Sequence, residues 1–92
     1  MGFPRKVSNN GVEILIVEDS PTQAEYLKSL LESRGFHVFV VSNGKEGLAS
    51  IRAHKSTLVI SDIMMPEMDG FEMCHQIKSD EKLKDVPVIL LT

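Results

Sequence analysis

The sequence predicts an α/β fold built as a doubly wound parallel sheet, and three observations carry that expectation. Short apolar runs alternate with stretches whose apolar residues recur at helical spacing. The runs are nearly continuous in Ile, Leu and Val, as in strands buried on both faces. Cap residues stand between run and stretch, where each helix would begin. Taken in order, Glu13 to Val17 (Glu-Ile-Leu-Ile-Val) reads as a first strand that ends on the acid pair Glu18-Asp19. Ser20-Pro21 then offers an N-cap and a proline at the first helical position, where a missing N–H costs nothing. That helix runs to about Arg34, with Ala24, Leu27, Leu30 and Leu31 as its inward stripe, and Gly35 ends it. Phe36 to Val41 is a second strand, rich in β-branched and aromatic residues. Asn43 and Glu46 have capping-box spacing and open a short helix to about His54 that buries Leu48 and Ile51. Thr57 to Ser61 is a third strand, ending at Asp62. Asp69 and Glu72 repeat the cap-plus-three spacing and open a helix to about Lys78, with Phe71, Cys74 and Ile77 facing inward. Ser79 to Asp85 is a charged loop, and Val86 to Leu91 is a fourth strand that tolerates Pro87 near its start. The pattern is βαβαβαβ, which requires right-handed crossovers and helices on both faces of the sheet.

Bulk properties narrow the function. At 92 residues the chain is one small domain; residues 1–11 read as a flexible leader and residues 12–92 as the domain itself. Hydrophobic residues at 42% with charged residues at 25% fit a folded globule rather than a disordered chain. A net charge of −3 without a Lys/Arg cluster gives no nucleic-acid or anionic-membrane surface. One cysteine, Cys74, excludes an internal disulfide and a cysteine-rich zinc site. No apolar run is long enough to span a membrane, and the start has no apolar segment of a secretory signal, so a cytoplasmic protein is expected.

In an open parallel sheet, side chains at the carboxyl ends of strands share one edge, and ligands bind where strand order reverses. Glu18 and Asp19 end the first strand, Asp62 the third and Thr92 the fourth. With strand order 2-1-3-4, three carboxylates and one hydroxyl converge. Packed carboxylates repel and raise at least one pKa; a divalent cation relieves this. An all-oxygen donor set suits Mg²⁺ or Mn²⁺, and Mg²⁺ keeps several waters while using one or two carboxylates. Such an open site beside a carboxylate nucleophile suits phosphoryl transfer.

Four segments together give a family resemblance: Ile-Leu-Ile-Val-Glu18-Asp19-Ser, Asn43-Gly44, Ile-Ser-Asp62-Ile-Met64-Met65-Pro66-Glu67-Met68-Asp69-Gly70-Phe71, and Pro87-Val-Ile-Leu-Leu-Thr92. From about Glu13 to Thr92 the chain resembles the receiver domain of two-component response regulators, a flavodoxin-like fold. The resemblance implies that Asp62 accepts a phosphoryl group from a phosphohistidine on a histidine kinase or phosphotransfer protein. It implies that Asp19 ligates Mg²⁺ directly, that Glu18 acts through water, and that the backbone carbonyl of Met64 completes the protein ligands beside Asp62. Thr92 would bond a phosphoryl oxygen. An output domain in a parent protein would read the phosphorylated state.

Two departures bear on that expectation. Glu18 stands where Asp is also common, one methylene longer, which a ligand acting through water tolerates. Receivers of this family continue past the threonine with two further helices and a fifth strand bearing a lysine; here the pattern is (βα)3β. The chain is therefore expected to expose its fourth strand, either to self-associate through it or to be a fragment of a longer protein, and to be phosphorylated less readily. Two other functions compete. A truncated receiver could act only as a docking or dimerisation module. A Mg²⁺-dependent phosphohydrolase could use Asp62 as nucleophile, but the haloacid-dehalogenase type wants an aspartate two residues on, where Met64 stands.

Other residues have plainer readings. An acid pair before Ser-Pro is, alone, helix-start chemistry. Asp69 is an N-cap. Met64, Met65 and Met68 are adaptable packers rather than a soft-metal cluster. His37, His54 and His75 stand at no metal spacing and are surface or structural. Cys74 is a buried small hydrophobe. Lys82 and Lys84, with Glu81 and Asp85, form a solvated loop.

Overall fold

A computed structural model describes residues 11–91. The leader, apart from Gly11, and Thr92 lie outside the described residues. The chain runs β1 (Glu13–Val17), α1 (Pro21–Glu32), β2 (His37–Val41), α2 (Gly44–Ala53), β3 (Leu58–Asp62), α3 (Gly70–Ser79) and β4 (Val88–Leu91). All four strands are parallel, in the order β2-β1-β3-β4. This is the expected (βα)3β arrangement, with the reversal of strand order between β1 and β3.

β1 explains why its sequence is apolar without interruption. Ile14 and Ile16 point to one face, where Val38, Leu27 and Leu31 meet them. Leu15 and Val17 point to the other, against Leu48 and Ile51 of α2, Val59 of β3, and Met73 and Ile77 of α3. These four side chains are at most 2% exposed. α1 thus covers one face and α2 with α3 the other, as alternate right-handed crossovers require.

The helix starts follow the cap residues. The Ser20 hydroxyl accepts from Gln23 N–H at 3.4 Å, Asn43 Oδ1 from Glu46 N–H at 2.9 Å, and Asp69 Oδ1 from Glu72 N–H at 2.9 Å. The box at α2 closes one residue early: Glu46 accepts from Ser42 N–H at 2.9 Å. At α3 it stays open, since Glu72 accepts from Gln76 instead. α1 ends in a Schellman motif. Gly35 N–H reaches Glu32 O at 3.0 Å and Phe36 N–H reaches Leu31 O at 3.3 Å, with Gly35 at φ 92°.

Four expectations are corrected. The buried face of α3 is Gly70, Met73 and Ile77, not Phe71, Cys74 and Ile77. Phe71 is 60% exposed and Cys74 is half-buried. Both stripes have helical spacing, and the choice is made by Gly70, which must press against the end of β3. On α1, Leu30 is exposed while Ala24, Leu27 and Leu31 face the sheet. β4 starts at Val88, because Val86 N–H is taken by Leu83 O and Pro87 has no N–H to give. The charged loop is anchored, not wholly solvated: Leu83 and Val86 enter the core, and Lys78 Nζ donates to Val86 O at 2.6 Å. His37 and His75 are exposed as expected. His54 is structural, paired with Glu13 and set edge-on to Phe39 at the end of the sheet opposite the acids.

Met73→Ala should lower the unfolding free energy by about 2–5 kcal/mol in urea denaturation, whereas Phe71→Ala should change it by under about 0.5 kcal/mol. Equal losses from the two variants would put the inward face of α3 back on Phe71.

Candidate functional site

The site follows from one register. β1 and β3 pair with Val17 opposite Ser61, so the residues that continue each strand leave the sheet side by side. Oxygen atoms of Glu18, Asp19 and Asp62 lie within 4.8 Å of one another. β4 pairs with Leu91 opposite Asp62, and Ile63 N–H donates to Leu91 O at 3.2 Å. Thr92, expected to follow at this edge, lies outside the described residues.

The three acids sit in different surroundings. Glu18 is buried at 5% exposure, Asp62 is half-buried and Asp19 is exposed. Glu18 N–H donates to Val41 O, tying the acid to β2, and one carboxylate oxygen accepts from Ser20 N–H at 3.0 Å. Burial raises the Glu18 pKa above the usual glutamate value; the hydrogen bond from Ser20 opposes this, and the charges of Asp62 and Asp19 add to it. Asp62 Oδ1 accepts from Met64 N–H at 3.3 Å, which turns the carboxylate toward the loop. The Met64 side chain is 79% exposed and does not cover it. Ser61, fully buried, donates from Oγ to Asp62 O at 2.8 Å.

The loop from Ile63 to Asp69 is held at both ends. Gly70 N–H donates to Ile63 O at 3.0 Å, and a Cβ at Gly70 would come within 2.5 Å of Asp62 O. Glu67 adopts φ 67°, the left-handed region that non-glycine residues rarely enter, and meets Lys45 of α2 at 4.0 Å. Beside the acids, a groove of about 290 Å³ runs between α1 and β2, lined by Glu18, Asp19, Ala24, Lys28 and Ser42 among others.

The donor set fits a hard divalent cation. Mg²⁺ takes oxygen ligands at about 2.0–2.1 Å in an octahedron, so neighbouring ligand oxygens stand about 3 Å apart and opposite ones about 4.2 Å apart. Three carboxylate oxygens within 4.8 Å need only a small closing movement to share such a shell with water. The structure thus brings together Glu18, Asp19 and Asp62, with Met64 on the adjoining loop. Sequence reasoning missed Ser20, whose N–H holds the Glu18 carboxylate, and Ser61, whose hydroxyl bonds the backbone carbonyl of Asp62. A serine inside an apolar strand directly before an acid was the available signal for Ser61.

Residues 14–92 match the family described as response regulator receiver domain. The chain belongs to this family. As a receiver domain of two-component signalling, it is a signalling module rather than a conventional enzyme. It is 51% identical to the solved signal receiver domain of a signal transduction histidine kinase from Syntrophus aciditrophicus, with a TM-score of 0.86 over 88% of this chain and 61% of that one. It is 32% identical, at TM-score 0.85, to the receiver domain of a sensor histidine kinase from Pseudomonas aeruginosa solved with a magnesium ion coordinated in its active site cleft. That match covers 89% of this chain and 67% of the other. Among curated relatives, protein PilH of Pseudomonas aeruginosa is 40% identical over 79 residues, 86% of this chain and 65% of PilH. The receiver domain here therefore spans just under two thirds of that relative's length. No helix among its described residues is long and apolar enough to cross a membrane.

The raised Glu18 pKa sets a pH dependence with a definite sign. A folded-state pKa above the unfolded value means the folded protein holds a proton that the unfolded chain has released, so stability falls as pH rises through that interval. Below the ordinary glutamate pKa both states are protonated and no penalty remains. Glu18→Gln keeps an acceptor for Ser20 N–H and removes the charge. Its Tm should exceed that of the wild type at pH 7.5, with the gap narrowing toward pH 4 in Mg²⁺-free melts. A gap independent of pH would assign the effect to something other than the buried charge.

Proposed function

We propose that this chain is a phosphoacceptor module in which Asp62 takes a phosphoryl group from a phosphohistidine on a histidine kinase or phosphotransfer protein. The observation that carries the reading is the convergence of Glu18, Asp19 and Asp62 at the β1–β3 edge of a receiver fold. A carboxylate oxygen of Asp62 attacks phosphorus, the P–N bond of the donor breaks, and its electron pair stays on the imidazole nitrogen. The product is a mixed anhydride on Asp62. Asp19 and Asp62 would hold Mg²⁺ directly, Glu18 through water, and Met64 through its carbonyl. When bound, the cation supplies positive charge against the phosphoryl oxygens. Thr92 would take one of those oxygens. Glu18, fixed by Ser20, keeps the cation side of the site in place, and the Met64 N–H orients Asp62. A downstream surface or output domain in a cytoplasmic signalling protein would read the change.

Turnover as a phosphohydrolase is disfavoured by Met64, which offers no acid to a leaving group two residues beyond Asp62. Incubated with a small acyl-phosphate donor and Mg²⁺, the wild type should gain a phosphoryl group by intact mass. Asp62→Asn, or EDTA with the wild type, should prevent it. An adduct that survives Asp62→Asn would remove Asp62 from the role, and a wild type that never reacts would favour a docking module.

The outer edge of β4 has no strand partner among the described residues, and Ile89 and Leu91 are exposed there. We read this edge as a contact through which the 92-residue chain self-associates. Sedimentation velocity should show a concentration-dependent dimer that Ile89→Lys reduces. A monomer at every concentration would dispose of the idea.

A further inference from the structure

We infer that Gly44 is a positioning residue for the Asp62 site, acting through the β3–α3 loop; the inference rests on the cation-assisted reading above. Gly44 is the first residue of α2, is buried, and contacts none of the three acids as a ligand. Its φ is not in the left-handed region, so the backbone does not require glycine there. Space does. A Cβ on Gly44 would collide with the carbonyl oxygen of Met68 and stand 3.0 Å from Met68 Cβ and Cγ. The strongest of these contacts is with backbone, which cannot turn aside as a flexible side chain can.

Either α2 or the loop has to give. α2 is seated. Its N-terminus is held by Asn43 and by Glu46 on Ser42 N–H. One turn on, Gly47 lies so close to the core that a Cβ there would be 2.9 Å from both Met73 Sδ and Val17 Cγ2. Lifting α2 would also uncover Leu48 and Ile51, both buried. The loop is the softer side, but its ends are fixed by the Gly70 N–H bond to Ile63 O and by the packing of Gly70 on Asp62 O. A push at Met68 is therefore absorbed between Met64 and Glu67. That segment contains the N–H that orients Asp62 Oδ1 and the one non-glycine residue with positive φ among those described. A hydrogen atom at Gly44 thus sets the height of a loop whose far end aims the acid.

Gly44→Ala tests this against Gly47→Ala, which crowds the core from the same helix face without touching the loop. Mg²⁺ titrations followed through the Met64 and Asp62 amides in ¹H–¹⁵N spectra give affinity, and thermal melts give stability. Both variants should melt lower than the wild type. Gly44→Ala alone should weaken Mg²⁺ binding by about tenfold, the low end of what outer-shell changes cost a metal site, and should shift the Met64 amide before metal is added. The same comparison is made in a Glu67→Gly background, where the loop has more room to yield, so that an unstable single variant does not end the test. Unchanged affinity in Gly44→Ala, or equal loss in Gly47→Ala, overturns the inference while leaving the Asp62 reading intact. A wild type that does not bind Mg²⁺ overturns both.

Discussion

The parallel register of β1 against β3 is the constraint on which the site depends. Val17 opposite Ser61 fixes Glu18 and Asp19 beside Asp62, and a slip by one residue would send one set of side chains to the wrong face. The register is secured by burial. Four β1 side chains lie in two separate clusters, one on each face of the sheet, and each cluster accepts only one parity of the strand. Full burial of each side chain is worth about 1.5–3 kcal/mol, so the strand as a whole contributes about 6–12 kcal/mol as an upper bound. Two like charges nearly 5 Å apart near a protein surface cost of the order of 3 kcal/mol. Three acids make three such pairs, so burial of β1 offsets a repulsion of comparable size, and a bound cation would relieve the rest.

Around this register, small residues let backbone approach backbone. Gly70 starts α3 directly against the carbonyl of Asp62, and Gly44 starts α2 directly against the carbonyl of Met68. The loop between them is short and closed on itself by the Gly70–Ile63 hydrogen bond. The Lys45–Glu67 pair is exposed on both sides and adds little, since such pairs are worth about 0–1 kcal/mol. Close packing, more than charge, therefore defines the loop next to Asp62.

Most of this was legible in the sequence because it is written in local signals. A continuous Ile-Leu-Ile-Val run means two-sided burial, Ser-Pro and Asn-Gly mark helix starts, and acids directly after strands share an edge once strand order is known. What was not legible depends on choices between equivalent local patterns. Phe71-Cys74-Ile77 and Gly70-Met73-Ile77 are both helical stripes that share Ile77, and of the residues that differ Met73 is buried while Phe71 is exposed. Hydropathy scores Gly70 as nothing, yet its lack of a side chain is what turns α3 to that face. Leu83 stands in a run of charges and reads as solvated, but turns around Asp80 carry it into the core. Thr92 could be proposed from its place after an apolar strand, and the described residues stop one short of it.

The electrostatics of the edge order the events of the proposed reaction. Three carboxylates gather where an anionic phosphoryl donor must arrive. Of the nearby cations, Lys28 lines the adjoining groove and Lys45 is engaged with Glu67 across the loop. Neither stands among the three acids, so the donor's charge would meet a negative field first. Neutralisation of the acids therefore has to precede approach of the donor. The burial of Glu18 sharpens this requirement, because burial together with its two acidic neighbours favours a proton on it, and a proton and a cation compete for the same charge. Occupancy by a cation and release of that proton from Glu18 are therefore linked.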